Sequence, residues 1–72
     1  MYNENDLIIL NMESTENNYN TIYRNAKRLM KMKRKEVIKF LKDNIYFYDK
    51  INWNKFKIKE FKKYLKEMYL NQ

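Results

Sequence analysis

The sequence predicts an all-α protein, and three observations support this fold class. An apolar pattern with the period of an α-helix runs from about residue 16 to residue 47. A second amphipathic pattern occupies about residues 55–70. No Asn-Gly or Asp-Gly pair is present to form a tight hairpin turn. At 72 residues, the chain is predicted to form one small domain, residues 1–72, in which a long helix packs against a C-terminal helix.

The N-terminal arm, residues 1–14, is acidic and has no clear periodicity. Its apolar run at residues 7–10 is too short to distinguish a strand from one helical turn, so an irregular segment is predicted. Ser14 or Thr15 then supplies an N-cap for the long helix. The run is also shorter than the roughly 7–15 apolar residues of a signal peptide or the roughly 20 of a membrane span, which predicts a cytoplasmic protein.

The long helix is predicted from apolar residues that share one band at about 100° per residue. An unbroken helix of about 30 residues would be ~45 Å long. A compact chain of this size has a radius of gyration of only ~11 Å. Either the helix is kinked or broken near residues 32–35, where no Gly, Pro, Asn or Asp is present, or the molecule is elongated. The band contains Tyr19, Ile22, Tyr23, Ala26, Leu29, Met30, Val37, Phe40, Leu41, Ile45 and Tyr48.

An unbroken helix would leave part of this band to pair with a second copy of the chain. Positions 19, 23, 26, 30, 33, 37, 40 and 44 alternate steps of four and three, as a coiled-coil seam requires. Lys33 and Asn44 are polar at this seam, and Ala26 is small. A homodimer packed more loosely than a coiled coil is therefore predicted if the helix is continuous.

The connection at residues 44–57 allows two interpretations. In one, Asn52 caps an early start of the C-terminal helix and Ile51 packs on Phe56. In the other, the two halves of the connection pair as a β-hairpin, because apolar residues and lysines alternate in the second half. The helix itself is clearest over residues 58–70, where lysines occupy one face and the other face carries Ile58, Phe61, Tyr64, Leu65 and Met68.

The composition argues against catalysis, a metal site and a cofactor. Histidine, cysteine and glycine are all absent, so no imidazole or thiolate can act and no glycine-rich loop can hold a phosphate. The hydroxyl groups outside tyrosine belong to Ser14, Thr15 and Thr21, and no histidine is present to activate them. A non-enzymatic protein without a small-molecule substrate is therefore predicted.

Charge is distributed unevenly along the chain. The net charge is +7, from 16 basic and 9 acidic residues. All 16 basic residues lie after residue 23, whereas the first 23 residues contain four acidic ones. Such a basic body predicts a polyanionic partner, either nucleic acid, a nucleoprotein or an acidic protein surface. Membrane association is not expected, since no large uncovered apolar face accompanies the cations.

Seven cations form a second stripe on the long helix, beside the apolar band. They fall between roughly 60° and 180° on the same helical wheel. Like charges gathered on one face repel each other unless an anion covers them. This basic stripe is therefore a candidate polyanion-binding face, with a solvated lysine-rich face as the alternative. It consists of Arg24, Lys27, Arg28, Lys31, Arg34, Lys35 and Lys42.

The densest aromatic cluster follows the long helix and provides candidate interface anchors, Tyr46, Tyr48 and Trp53. Aromatic rings beside lysines can stack on unpaired bases or anchor a protein interface. Alternatively, the cluster fills the junction between the two helices. Tyr46 points away from the apolar band on the wheel and is the residue expected to be free.

Two functions remain open at this point. The first is a binding protein whose basic stripe engages nucleic acid or a nucleoprotein complex. The alternative is a protein–protein inhibitor or adaptor that acts through its aromatic and apolar surface. In size and in its Lys-, Asn-, Ile- and Tyr-rich composition, the chain is similar to accessory proteins of phages and mobile elements, which include inhibitors of host defence complexes such as anti-CRISPR proteins. This resemblance is one of type, with no shared motif, and it implies no functional residues.

Overall fold

Helices account for the regular structure of the computed structural model, which describes residues 3–45 and 48–70. In chain order they are α1 (Glu4–Met12), α2 (Glu16–Lys31), α3 (Arg34–Asn44) and α4 (Ile58–Leu65), followed by a π-helical segment (Lys66–Leu70). Two 3₁₀ turns, Tyr48–Lys50 and Trp53–Lys55, lie between α3 and α4. No strand occurs in these described residues, so the all-α prediction is confirmed and the hairpin interpretation is wrong. No helix in this part of the chain combines the length and apolarity needed to cross a bilayer.

Helix α1 corrects the expectation of an irregular arm. Asn3 caps it, because the Asp6 backbone N–H donates to Asn3 Oδ1 at 2.8 Å and the Asn3 N–H donates to Asp6 Oδ2 at 3.3 Å. Ile8 and Met12 on α1 have no exposed surface. The other two residues of its buried face are asparagines, Asn5 and Asn11. A buried face that is half polar has no apolar periodicity, which is why the sequence pattern did not reveal this helix.

The long amphipathic segment is broken at Met32 and Lys33, both of which have extended backbone. The turn contains no residue that favours turns, and a distant side chain stabilises it instead. The ammonium group of Lys62 on α4 donates to the Met32 carbonyl at 2.6 Å, next to the C-terminus of α2, where a cation is favoured by the helix dipole. On the other side of the break, the Lys33 N–H donates to Glu36 Oε1 at 3.2 Å. Helix formation resumes there at Arg34.

The break folds the apolar band onto a single core. The radius of gyration is 11.1 Å, as expected for a compact chain of this length. Because the helix is broken and the core members of the band are buried within the chain, the condition on which a homodimer was predicted is not met. Its buried members are Ile22, Ala26, Leu29, Val37, Leu41 and Ile45, which pack with Ile8, Met12, Phe61 and Leu65.

Helix α4 begins at Ile58, three residues later than the sequence suggested. Asn52 caps the second 3₁₀ turn rather than α4, with the Asn54 N–H donating to Asn52 Oδ1 at 3.2 Å. The start of α4 is held by buried Asn5. Its side-chain amide donates to the Lys57 carbonyl and accepts from the Lys57 N–H, both at 2.9 Å. Two such hydrogen bonds to one backbone residue fix the position of α1 against the start of α4.

The last turns of the chain place a different residue inward than a regular helix would. The sequence pattern put Met68 on the apolar face, but Met68 is 48% exposed and Tyr69 is 5% exposed. The π-helical winding after Leu65 widens the turn and changes which side chains point at the core. The segment thereby packs Tyr69 against the core.

Candidate nucleic-acid interface

The break at Met32 and Lys33 divides the basic stripe between two helices. Arg24, Lys27, Arg28 and Lys31 lie on α2 and form its α2 half. Arg34, Lys35 and Lys42 lie on α3 and form its α3 half. The wheel that aligned all seven assumed one straight helix, so the two halves no longer share one face.

Two of the three cations of the α3 half are exposed but make contacts with other groups of the chain. The Arg34 guanidinium donates from Nη1 to the Phe56 carbonyl and from Nη2 to the Trp53 carbonyl, the latter at 2.6 Å. It also lies 5.4 Å from the centroid of the Phe56 ring. The Lys42 ammonium lies 5.7 Å from the Trp53 ring centroid. These contacts attach α3 to the 3₁₀ turn Trp53–Lys55.

Trp53 belongs to this junction. Its side chain is partly buried against the core, and its indole N–H donates to the Tyr48 carbonyl at 3.0 Å. The ring meets Phe56 edge-on, with centroids 5.9 Å apart. Tyr48 is 46% exposed, whereas Tyr46 lies outside the described residues. The surroundings of Trp53 therefore correspond to the structural interpretation of the aromatic cluster, and Tyr48 is its exposed candidate anchor.

The α2 half borders an open groove between α2 and the π-helical segment. Two adjoining depressions form it, of about 370 and 400 Å³. Lys27 and Leu70 line both depressions, so the two are neighbours. This basic groove is defined by Tyr23, Arg24, Lys27, Met30, Lys31, Lys66, Tyr69 and Leu70.

The cations of the basic groove have no partner among the described residues. Within that part of the chain, the one ion pair closer than about 4 Å joins Lys57 to Glu60. The groove cations are all exposed, and none makes a side-chain hydrogen bond to another described residue: Arg24, Lys27, Lys31 and Lys66. Arg28, the remaining member of the α2 half, donates to Asn25 Oδ1 at 3.1 Å and does not line the groove. Four uncompensated charges around the two adjoining depressions create a local positive potential.

Tyr23 and Tyr69 line the basic groove, and Tyr19 packs beside them outside it. Tyr19 and Tyr23 are 38% and 51% exposed, and their rings lie nearly parallel, 20° apart, with centroids at 6.3 Å. Buried Tyr69 packs behind both, with its centroid 5.4 Å from that of Tyr19 and 6.1 Å from that of Tyr23. Tyr64 meets Tyr69 edge-on at 6.0 Å. The two exposed rings are therefore held in place from behind.

The hydroxyl groups behind the groove remain neutral at physiological pH. Burial raises the pKa of Tyr64 above its usual value of 10.0, and so does the hydrogen bond that the hydroxyl donates to Glu13. Burial also raises the pKa of Tyr69, with a further contribution from the nearby Glu13 carboxylate. Neither phenol adds negative charge beside the groove cations.

Of the eight residues that define this groove, the sequence pattern assigned only Arg24, Lys27 and Lys31 to a binding face. Tyr23 was assigned to the apolar band, although it lies one helical turn before Lys27 and so on the same side of α2. That spacing was the available signal. Lys66 was placed on the lysine face of the C-terminal helix, and no local pattern could connect it with α2. Its position depends on how the C-terminal helix packs.

Comparison with known proteins gives no match: no family model fits the chain, and no curated protein or solved structure is significantly similar to it. Among the described residues, no group of three or more carboxylate side chains is placed to hold a metal ion, and the sequence contains no histidine or cysteine. Function is therefore inferred from the geometry of the basic groove.

Proposed function

We propose that this chain is a non-enzymatic binding protein that engages nucleic acid, free or in a nucleoprotein complex, through the basic groove. One observation carries the proposal. Cations from two separate segments, Arg24, Lys27 and Lys31 on α2 and Lys66 on the π-helical segment, converge on one groove with no described carboxylate to neutralise them. Scattered solvated lysines have no reason to converge in this way.

A polyanion would relieve the repulsion among these four groups. Each phosphate that meets a cation releases condensed counterions, which drives binding at low salt. Three of the four groove cations are lysines. Lysine acts as a point charge suited to phosphates, whereas arginine forks dominate the reading of base edges. Binding through the backbone with little sequence preference is the expected result.

The experiment is a salt titration of oligonucleotide binding by fluorescence anisotropy. With four cations on phosphates, the slope of log affinity against log salt should be roughly −2.8 on single strands and roughly −3.6 on duplex. The triple variant R24Q/K27Q/K31Q should lower affinity on the order of a hundredfold at low salt and bring the slope to about −1. Its helical circular dichroism should be unchanged, because all three side chains are exposed.

A matched control separates the groove from net charge. The triple variant K35Q/K39Q/K59Q removes the same charge from exposed lysines that line neither depression. It should keep the slope and nearly all of the affinity. Equal losses in both variants would mean that binding follows net charge rather than the groove. If the wild-type protein binds no nucleic acid at low salt, whether single-stranded or duplex, the proposed function is wrong.

A second candidate function, binding of a protein partner, is favoured by a different surface. Leu7 and Leu10 on α1 are 38% and 49% exposed, and with Ile51 they line an apolar depression of about 340 Å³. Exposed apolar clefts of this kind are typical of protein interfaces. The variant L7S/L10S should remove such a partner and leave nucleic-acid binding unchanged. Pull-down from the native host with and without nuclease would then show which of the two surfaces is used.

A further inference from the structure

We propose that the basic groove prefers single-stranded nucleic acid to duplex, with Tyr23 as the platform on which an unpaired base stacks. This inference rests on the proposed function and names the class of nucleic acid that the same groove takes. It follows from three features of the groove: the exposed tyrosine faces, the width of the helix pair, and the spacing of the cations.

The tyrosine faces are the first feature. Tyr23 is half exposed and shares a depression with Arg24 and Lys27. Sequence-independent binding of single strands combines these two elements, an aromatic platform for a base and a positive groove for the backbone. Because Tyr69 supports the rings of Tyr19 and Tyr23 from behind, little side-chain entropy is lost on binding. In a duplex the bases are already stacked on each other, and an exposed tyrosine face would have no partner.

The width of the helix pair is the second feature. The groove cations lie where α2 packs beside α4 and the π-helical segment. Two packed helices, each about 10–12 Å across with axes about 8–10 Å apart, present a face roughly 20 Å wide. The major groove of B-DNA is about 12 Å wide and admits one helix. The helix pair as a whole is therefore too wide to enter it, which favours contacts to a nucleic-acid backbone over readout of duplex base edges.

The spacing of the cations is the third feature. Arg24 and Lys31 are seven residues apart on α2, which corresponds to roughly 10.5 Å along the helix axis. A stacked strand rises about 3.4 Å per nucleotide. The α2 cations therefore span about three nucleotide steps of one strand. Lys66 lies across the groove from α2 and provides a contact on the other side of that strand.

The test compares one oligonucleotide in four forms: single-stranded DNA, single-stranded RNA of the same sequence, and the corresponding duplexes. Affinities are measured by fluorescence anisotropy at low salt for wild type and for Y23L, which keeps apolar bulk but has no aromatic face. We expect wild type to bind both single strands at least about tenfold more tightly than the duplexes. Y23L should lose roughly 5- to 150-fold on single strands, the range for one stacked base. Its affinity for duplex should change by less than about twofold.

Two further variants make the result specific. Y23F keeps the ring and should bind single strands like wild type. Y48L removes the other exposed candidate anchor, which lies outside the groove, and tests it as the rival stacking site; if the base stacks on Tyr23, Y48L should keep its single-strand affinity. Thermal melts confirm that each variant is folded. If Y23L does not fold, Y23H is used instead, because its smaller ring stacks less. Its affinity for single strands should then lie below that of Y23F without being lost completely.

The outcomes distinguish this inference from the proposed function. If wild type binds single strands and duplex equally well, and Y23L changes neither affinity, the single-strand preference is wrong. The proposed function then still holds if R24Q/K27Q/K31Q loses binding. Absence of binding to all four forms overturns both. A loss of single-strand affinity in Y48L equal to that in Y23L would also contradict the stacking role of Tyr23.

Discussion

Both halves of the basic stripe consist of arginine and lysine, but their environments in the structure differ. In the α2 half, Arg24, Lys27 and Lys31 are exposed beside a groove and have no partner among the described residues. In the α3 half, Arg34 donates to two backbone carbonyls and Lys42 lies over an indole ring. One half is available to a ligand, and the other half largely holds the protein together.

The difference comes from what each helix faces. Helix α3 lies beside the turn Trp53–Lys55, where the carbonyl groups of Trp53 and of Phe56, the residue after the turn, accept from the Arg34 guanidinium. Helix α2 lies beside a segment that contributes Lys66, another cation, and so gains no compensation. A stripe of cations in a sequence is therefore evidence for a binding face only after its internal acceptors are known.

The largest expected effect is the loss of stability in W53A. Trp53 packs against the core, contacts Phe56 and Lys42, and its indole N–H donates to the Tyr48 carbonyl. Because the side chain is only partly buried, the expected loss is near the lower end of the range for such truncations, about 3 kcal/mol. The melting temperature should fall by roughly 12–24 °C in circular dichroism. A variant that melts like wild type but loses its ligand would instead make Trp53 an interface anchor.

The second effect is the loss of stability in R34A, which removes a charged donor from two carbonyl groups. Hydrogen bonds to charged groups contribute about 1.5–3 kcal/mol each when sheltered. Since Arg34 is partly solvated, we expect about 2 kcal/mol in total and a drop of roughly 8–16 °C in the melting temperature. The control is K35A on the same helix, which has no such contact and should change stability by less than about 0.5 kcal/mol. Equal melting curves for R34A and K35A would show that the α3 half is not structural.

The third effect is smaller and concerns Lys42. The variant K42A removes the ammonium that lies 5.7 Å from the Trp53 ring centroid. An exposed cation–π contact contributes about 0.5–1 kcal/mol, so the unfolding free energy should fall by that amount in urea titrations. Double substitution with W53A should give no additional loss, because the contact is already gone. A fully additive double variant would contradict the contact.

The smallest loss of stability at neutral pH is expected for Y64F. Tyr64 lies behind the basic groove, and the variant removes one partly exposed hydrogen bond to Glu13. Its pH dependence is the informative readout. Burial raises the pKa of Tyr64 above 10.0, so above that pH the unfolded chain loses this proton while the folded chain keeps it. The unfolding free energy of wild type should therefore fall, relative to that of Y64F, as the pH rises above about 10. Parallel curves for the two proteins between pH 8 and about 11.5 would contradict the raised pKa.

Much of the fold could be predicted from the sequence, and the predictions that were wrong have identifiable causes. The apolar period placed α2, α3 and α4 correctly, and Thr15 was one of two predicted caps, with the Asn18 N–H donating to Thr15 Oγ1 at 3.0 Å. Helix α1 was missed because Asn5 and Asn11 occupy half of its buried face. Met68 was misplaced because the π-helical winding starts at Lys66, and no residue there signals it.

For the candidate site, the sequence identified Arg24, Lys27 and Lys31 but could not separate them from Arg34 and Lys42. That separation depends on hydrogen bonds between residues 19 and 22 positions apart in the chain. The sequence also could not predict that Lys66 lies near α2, because the two meet only through the packing of the C-terminal helix.

The sequence by itself determined what is local: helical periodicity, the sign and uneven distribution of charge, and the absence of histidine and cysteine chemistry. The tertiary structure alone decided the break at Met32 and Lys33, where no turn residue is present and the Lys62 ammonium, 30 positions away, satisfies the Met32 carbonyl. It also decided which cations are free, because a charged side chain engages whichever acceptor the fold brings near it. Local periodicity is encoded within one or two turns of chain, whereas partners for polar groups come from residues distant in sequence, and only packing brings those together.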